Sequence, residues 1–336
     1  MLGGGLAGLG VMGLAGTLSG CKGGGSEAVP ETPYENGLFF KISLAQWSLH
    51  KSYFGKSLDK GFGPFIEALH KDPKSVLQGG QNPGVFPKMA KQLFEIDAVE
   101  FVNTFYFDLA EDTYYMTHLG EQCSNEGVTP LLIMCDALGD LGDLDDQKRA
   151  AAVENHYKWI NAAKLIGCHS IRVNAAGSGT AEEVKSAAVD GLGRLSEYGE
   201  SNEINVIVEN HGGYSSNGEW LASVIEQVDN PYCGTLPDFG NFCIKRSDDF
   251  ACIEEYDRYQ GVKELMPYAK GVSAKTNEFD TWGNELNTDY KKMLQIVKDA
   301  GYRGYIGIEY EGDQHHETTG IRISKHLLER IGAEIT

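Results

Sequence analysis

The chain has 336 residues, of which 41% are hydrophobic and 23% charged, proportions that suit a globular protein able to bury a sizeable core. Its 48 acidic and 29 basic residues leave a formal net charge of −19. That balance argues against nucleic acid and anionic membrane surfaces as partners and disfavours a strongly anionic substrate; the sequence also carries no glycine-rich P-loop.

Residues 1–20 are Gly, Ala, Leu, Val and Met with one Thr and one Ser, uncharged, and they run through Leu18-Ser19-Gly20 into Cys21. An apolar stretch, small residues and then a cysteine read as a lipoprotein-type signal segment over 1–21, with Cys21 lipidated. No Lys or Arg precedes the apolar stretch, a departure from the usual signal. Residues 22–36, with Gly23-Gly24-Gly25 and two prolines, read as a flexible tether. The protein is therefore expected to be exported, periplasmic or held at the membrane only through a lipid on Cys21. Six further cysteines follow, at 123, 135, 168, 233, 243 and 252, and export permits disulfides among them. Cys135 and Cys168 lie in or beside apolar runs, which suits buried free thiols.

From residue 37 onward, strand-like and helix-like segments alternate. The first strand is Phe39–Trp47, followed over 49–86 by a loop-rich stretch with many Gly, Lys and Pro, which reads as an irregular insertion and a candidate lid. A helix covers about 87–95. The second strand is Ala98–Asn103, with a helix near 109–126. The third is Thr129–Cys135, followed by Asp136, a glycine-rich loop and a helix at about 145–166. The fourth strand is His169–Asn174, with a helix at about 180–202. The fifth ends at Glu209 after an unbroken apolar run, as expected of a strand buried on both faces, and a helix follows at about 218–228. The sixth is Cys233–Pro237, with a helix at about 254–266; the seventh is Tyr268–Ala274, with a helix at about 288–300. The eighth is Tyr305–Glu309, and a last helix covers about 317–332. Eight βα units over 37–336 predict a single (β/α)8 TIM barrel domain, with an open doubly wound sheet as the alternative.

Three carboxylates, Glu209, Asp238 and Glu309, fall at strand C-terminal ends, where a barrel gathers its chemistry. Side chains alternate along a strand, so His211 shares the face of Glu209. Clustered carboxylates repel unless a cation or a shared proton compensates, and a divalent metal of the Mn, Mg or Zn kind is the natural compensation. Two carboxylates flanking a sugar carbon can then move a proton.

The stretches SLAQWSL (43–49), VEFVN (99–103), VIVENHGG (206–213), LPDFGN (236–241) and YIGIEYEG (305–312), in this order, resemble the sugar phosphate isomerase/epimerase family of xylose isomerase-like barrels. The resemblance implies a metal held by Glu209, Asp238, Glu309 and a strand-seven histidine, with the two glutamates as the acid–base pair. The histidine position falls near Ser273 and holds no histidine. His211 is one candidate for the missing nitrogen, and Lys275, on the face of Ser273, is a candidate for the missing charge. Asn241 stands where some relatives carry a second histidine.

Candidates for substrate contact are Trp47, Asn103, Arg172, Asn174, His211 and Lys275. Gln46 ends the first strand beside Trp47, and Glu311 shares the face of Glu309 further out. A buried Arg172 requires a carboxylate partner. His315-His316, Glu278 and Asp280 read as solvated loop residues. The expected function is a sugar isomerase or epimerase acting on a neutral sugar or keto-sugar, with the sugar as its small-molecule partner and homo-oligomerisation left open. A lyase cleaving oxidised glycosides by β-elimination and a non-catalytic surface sugar-binding lipoprotein are the alternatives.

Overall fold

A computed structural model describes Tyr34, residues 37–247 and residues 251–336. The signal segment, the tether apart from Tyr34, and Cys21 lie outside the described residues. In chain order the strands are β1 (Lys41–Ala45), β2 (Ala98–Val102), β3 (Thr129–Met134), β4 (Ser170–Asn174), β5 (Asn205–Glu209) and β6 (Cys233–Leu236). A short antiparallel hairpin, β7 (Cys243–Arg246) and β8 (Cys252–Glu255), follows before β9 (Val272–Thr276) and β10 (Tyr305–Tyr310). The other eight strands form one parallel sheet in the order β6-β5-β4-β3-β2-β1-β10-β9. Parallel bridges Thr235–Ala269 and Asp238–Ser273 join its two ends. There the Phe239 N–H donates to the Ser273 carbonyl at 3.0 Å and the Ser273 N–H to the Pro237 carbonyl at 2.9 Å. The sheet therefore closes into the expected barrel.

The helices are α1 (His50–Phe54), α2 (Phe62–Lys71), α3 (Phe86–Phe94), α4 (Thr113–Glu126), α5 (Asp146–Ile166), α6 (Ala181–Asn202), α7 (Gly218–Val228), α8 (Arg258–Leu265), α9 (Tyr290–Asp299) and α10 (Glu317–Ile335). Their starts are written in the sequence as N-caps. Asp145 accepts from the N–H groups of Gln147 and Lys148, and Thr180 and Glu183 form a capping box. Outward-facing residues such as Ile171, Val206 and Val208 join Trp159, Ile160 and Leu192 of the helices in one buried core.

The barrel interior is not purely apolar. Glu100 of β2 is 2% exposed and points inward, where Ser43 of β1 donates to it at 2.6 Å. Gly307 of β10 makes room for it: a Cβ there would stand 2.4 Å from Glu100 Oε1.

Three expectations are corrected. The insertion 49–86 is not irregular, since it folds as α1, α2 and short 3-10 turns. The seventh parallel strand starts at Val272 and not at Tyr268, because Met266–Tyr268 continue helix α8 as a 3-10 turn; Lys275 thereby lies inside a strand. The helix expected from residue 254 starts at Arg258, after the N-cap Asp257, because Cys252–Glu255 pair with β7 and Cys252 is disulfide-bonded to Cys243. Cys123, Cys135, Cys168 and Cys233 are buried free thiols.

Candidate active site

Strands β5, β6, β9 and β10 bring their C-terminal ends to one mouth. Glu209 is the last residue of β5, Asp238 follows β6, and Glu309 is the fifth residue of β10. Each offers a carboxylate oxygen, and these oxygens all lie within 4.8 Å of one another. All three residues are buried, at 1%, 0% and 3% exposure. Asn210 locks β5 to β6: its side chain accepts from the Asp238 N–H at 2.7 Å and donates to the Asp238 carbonyl at 3.0 Å.

Protein donors surround the cluster. Arg172 Nε lies 2.8 Å from Glu209 Oε2, and Asn241 Nδ2 donates to Glu209 Oε1 at 3.0 Å. Asp238 Oδ1 accepts from the backbone N–H groups of Gly240 and Asn241, each at 2.8 Å. The Ser273 hydroxyl sits 2.6 Å from Asp238 Oδ2 and 2.9 Å from Glu309 Oε2. One hydroxyl hydrogen thus faces two carboxylates. Burial, opposed by Lys275, raises the pKa of both Asp238 and Glu309 above the usual carboxylate range.

Arg172 forms a second ion pair, Nη1 to Asp136 Oδ1 at 2.8 Å. Burial opposes the charge on Asp136, but Arg172, His211 and Asn174 outweigh it and hold this carboxyl low. Asn103 fixes the Asp136 backbone, accepting from its N–H at 3.0 Å and donating to its carbonyl at 2.9 Å. Asn174 Nδ2 donates to Asp136 Oδ1 at 2.8 Å. Lys275, 5% exposed, pairs with Glu311 Oε2 at 3.2 Å and donates to Asn241 Oδ1 at 3.1 Å. Trp47 Nε1 donates to Glu311 Oε1, and its ring stacks on His50 with centroids 5.0 Å apart.

Above the cluster lies a cavity of about 230 Å³, lined by Trp47, Phe62, Val102, Asp136, Arg172, His211, Glu309 and Glu311. Its volume is below the range typical of drug-sized ligands and suits a smaller molecule. Of the residues expected to touch substrate, Trp47, Arg172 and His211 reach this cavity, whereas Asn103 and Asn174 act on Asp136. Lys275 and Glu209 are packed beneath the lining. His211, one candidate for the missing nitrogen, is exposed and lines the cavity, outside the group of three carboxylates. Gln46 is buried, donating to Tyr106 Oη at 2.9 Å, and is structural. His316 caps α10, and Asp280 accepts from the Trp282 N–H, as suits loop residues.

Sequence reasoning assigned no role to Asp136, Asn210, Phe62 or Glu100. Asn210 directly follows β5 and Asp136 lies two residues past β3, and that position was the available signal. Phe62 and Glu100 gave none: one sits in an insertion, and the other lies within an apolar strand.

A closed parallel (β/α)8 barrel with three buried carboxylates at its C-terminal mouth defines the class of protein. The family described as xylose isomerase-like TIM barrel matches residues 88–331, and the chain belongs to it. Solved structures of similar fold include 3-keto-D-glucoside 4-epimerase from E. coli (TM-score 0.59, 14% identity, covering 74% of this chain and 95% of that one). D-psicose 3-epimerase from Clostridium cellulolyticum H10 gives a TM-score of 0.59 at 11% identity, covering 88% and 96%. A xylose isomerase-like TIM barrel protein from Mycobacterium smegmatis, in complex with magnesium, gives 0.58 at 14% identity, covering 88% and 98%. No curated protein matches the sequence.

The three carboxylates can hold a hard divalent cation. Ser273 places a hydroxyl oxygen beside Asp238 and Glu309.

Proposed function

We propose that this protein is a sugar isomerase or epimerase that moves a proton at a carbon next to a carbonyl, on a neutral sugar or keto-sugar. One observation carries the reading: Glu209, Asp238 and Glu309 converge, buried, beneath a cavity sized for a small ligand. Glu209 and Glu309 form the acid–base pair. Arg172 and Asn241 fix the orientation of Glu209, and Glu309 faces the cavity. Arg172 and His211 offer donors to sugar oxygens, and Trp47 offers an apolar face for the ring. The same lining argues for a neutral substrate, since a phosphate would meet the carboxylates of Asp136, Glu309 and Glu311. The epimerases of similar fold act on a keto-glucoside and on psicose, in agreement with this substrate class.

Asp238 with the two glutamates would hold the divalent ion. When bound, such an ion polarises the substrate carbonyl or hydroxyl and makes the adjacent proton easier to remove. Export to an oxidising compartment is part of the proposal. It is supported by the Cys243–Cys252 disulfide and by the composition of residues 1–21.

The test is incubation with neutral aldoses, ketoses and 3-keto-glycosides in deuterated water, read by NMR and chiral product analysis. An isomerase or epimerase places solvent deuterium on the carbon next to the carbonyl and conserves the substrate formula. Release of a fragment instead would point to elimination. Sugar binding with no exchange would leave only a binding protein.

A further inference from the structure

Lys275 is the unusual member of the site. It lies directly across from Glu309 in the β9–β10 register, and Ser273 is bridged to Asp238 in the same way on the other side of β9. Its stem packs against Gly240, where a Cβ would stand 3.0 Å from Lys275 Cδ. Its ammonium reaches Glu311 directly and Glu209 through the Asn241 amide, which accepts from Lys275 and donates to Glu209. Burial disfavours the ammonium, yet Glu309, Glu311, Asp238 and Glu209 together outweigh that and keep it charged. Oε1 of Glu209 and Oδ1 of Asp238 accept hydrogen bonds from the protein, Oδ2 of Asp238 and Oε2 of Glu309 share the one Ser273 hydroxyl hydrogen, and Oε2 of Glu209 has the Arg172 charge 2.8 Å away but no hydrogen bond.

We propose that Lys275 is a resident cation of the carboxylate cluster, competing with any divalent metal for the same negative charge. In its presence the cluster holds together without an ion, through Lys275, Arg172 and the Ser273 hydroxyl. A divalent ion that enters does so against the field of a buried ammonium carried on the residue across from Glu309, where little water screens it. Metal affinity is therefore low in the native chain and is set by residue 275. The proposal concerns the same site as the proposed reaction, but it stands or falls on ion binding alone.

The experiment is Mn²⁺ binding to the full chain without sugar, followed by titration calorimetry and by Mn²⁺ electron paramagnetic resonance. Lys275→Met and Lys275→Gln should bind Mn²⁺ at least about tenfold more tightly than the wild type, because one repelling unit charge is gone. Lys275→Arg keeps the charge and should stay near the wild-type affinity. Thermal melting gives a second readout. The neutral variants should melt lower than the wild type in chelator and recover on adding Mn²⁺, while the wild type changes little. The proposal is overturned if Lys275→Met and Lys275→Gln bind Mn²⁺ no better than the wild type. It is equally overturned if they unfold without rescue by Mn²⁺, or if the wild type as purified holds one tight ion per chain. A result on Mn²⁺ stands whether or not the protein turns over a sugar, so it is read separately from the proposed reaction.

Discussion

Glu209 and Glu309 differ in what surrounds them, and that difference shapes what each can do. Glu209 accepts from Asn241 at one oxygen and has the Arg172 charge beside the other without a hydrogen bond, whereas Glu309 shares the Ser273 hydroxyl and faces the cavity. Glu209→Gln and Glu309→Gln each keep the shape of the side chain and remove its proton chemistry. Each should lower turnover by about 10²–10⁴-fold while sugar still binds, and the double variant should be little worse than either, because the residues act as a unit. Steady-state kinetics with the substrate found by deuterium exchange checks this; near-normal turnover in both single variants would move the acid–base role elsewhere. Glu100, deeper in the barrel, has a different consequence. Burial raises its pKa from 4.5 to about 7, partly offset by the hydrogen bond from Ser43. A raised carboxyl pKa means that the folded state binds a proton the unfolded chain has already released. Stability from this group is complete below pH 4.5 and is lost as pH rises through about 7. Glu100→Gln removes that loss. Its advantage over the wild type should open between pH 4.5 and 7 and level off above, reaching on the order of 3 kcal/mol at pH 8. Denaturant melts at pH 5 and pH 8 measure it, and a pH-independent difference would refute the protonated Glu100.

At the scale of elements, the barrel was legible because strand-like and helix-like segments alternate along the chain, with polar residues such as Asn103, Asn174 and Glu209 at or just after strand ends, and because caps such as Asp145, Thr180 and Asn217 mark helix starts. The carboxylate cluster was legible for the same reason: Glu209, Asp238 and Glu309 all sit at or near such strand ends. The hairpin β7–β8 was not. Its strands are four residues each, with β8 fully exposed, so no apolar alternation announces them. The pairing of Cys243 with Cys252 depends on a chain reversal that neither cysteine encodes. Lys275 was read as lying beyond its strand because Tyr268 and Ala269 continue an apolar pattern that the fold spends on a 3-10 turn. The ion pairs of Arg172 with Asp136 and Glu209 link residues 36 and 37 positions apart, and only barrel closure sets their distances. The disulfide closes a loop of sequence separation 9, for which chain-entropy reasoning gives a contribution of about 2–3 kcal/mol. Replacing both cysteines by serine should destabilise the protein by up to that amount and leave Cys123, Cys135, Cys168 and Cys233 as buried thiols. Urea unfolding of the double variant against the oxidised wild type tests this, and an unchanged midpoint would show that the hairpin contributes nothing to the global transition.

For the whole molecule, charge and anchoring pull in opposite directions. A net charge of −19 repels an anionic membrane surface, so electrostatics offers no reason to stay there. Among the described residues no helix is long and apolar enough to cross a membrane. Membrane association, if the export reading holds, therefore rests on the lipid at Cys21, where acyl chains supply roughly 0.8 kcal/mol per buried CH₂ and two or more chains are needed for stable anchoring. Residues 22–36 carry glycines and prolines, the composition on which the expected tether rests. Cys21→Ser should accordingly move the protein from the membrane pellet to the soluble extract. Wild-type protein should resist a high-salt wash and yield to detergent, because its anchor is apolar and its charge already opposes binding. Fractionation followed by immunoblotting of both forms decides it. Equal pelleting of the serine variant would exclude lipidation at Cys21 as the anchor, and salt release of the wild type would show that a basic partner, not a lipid, holds this acidic barrel at the surface.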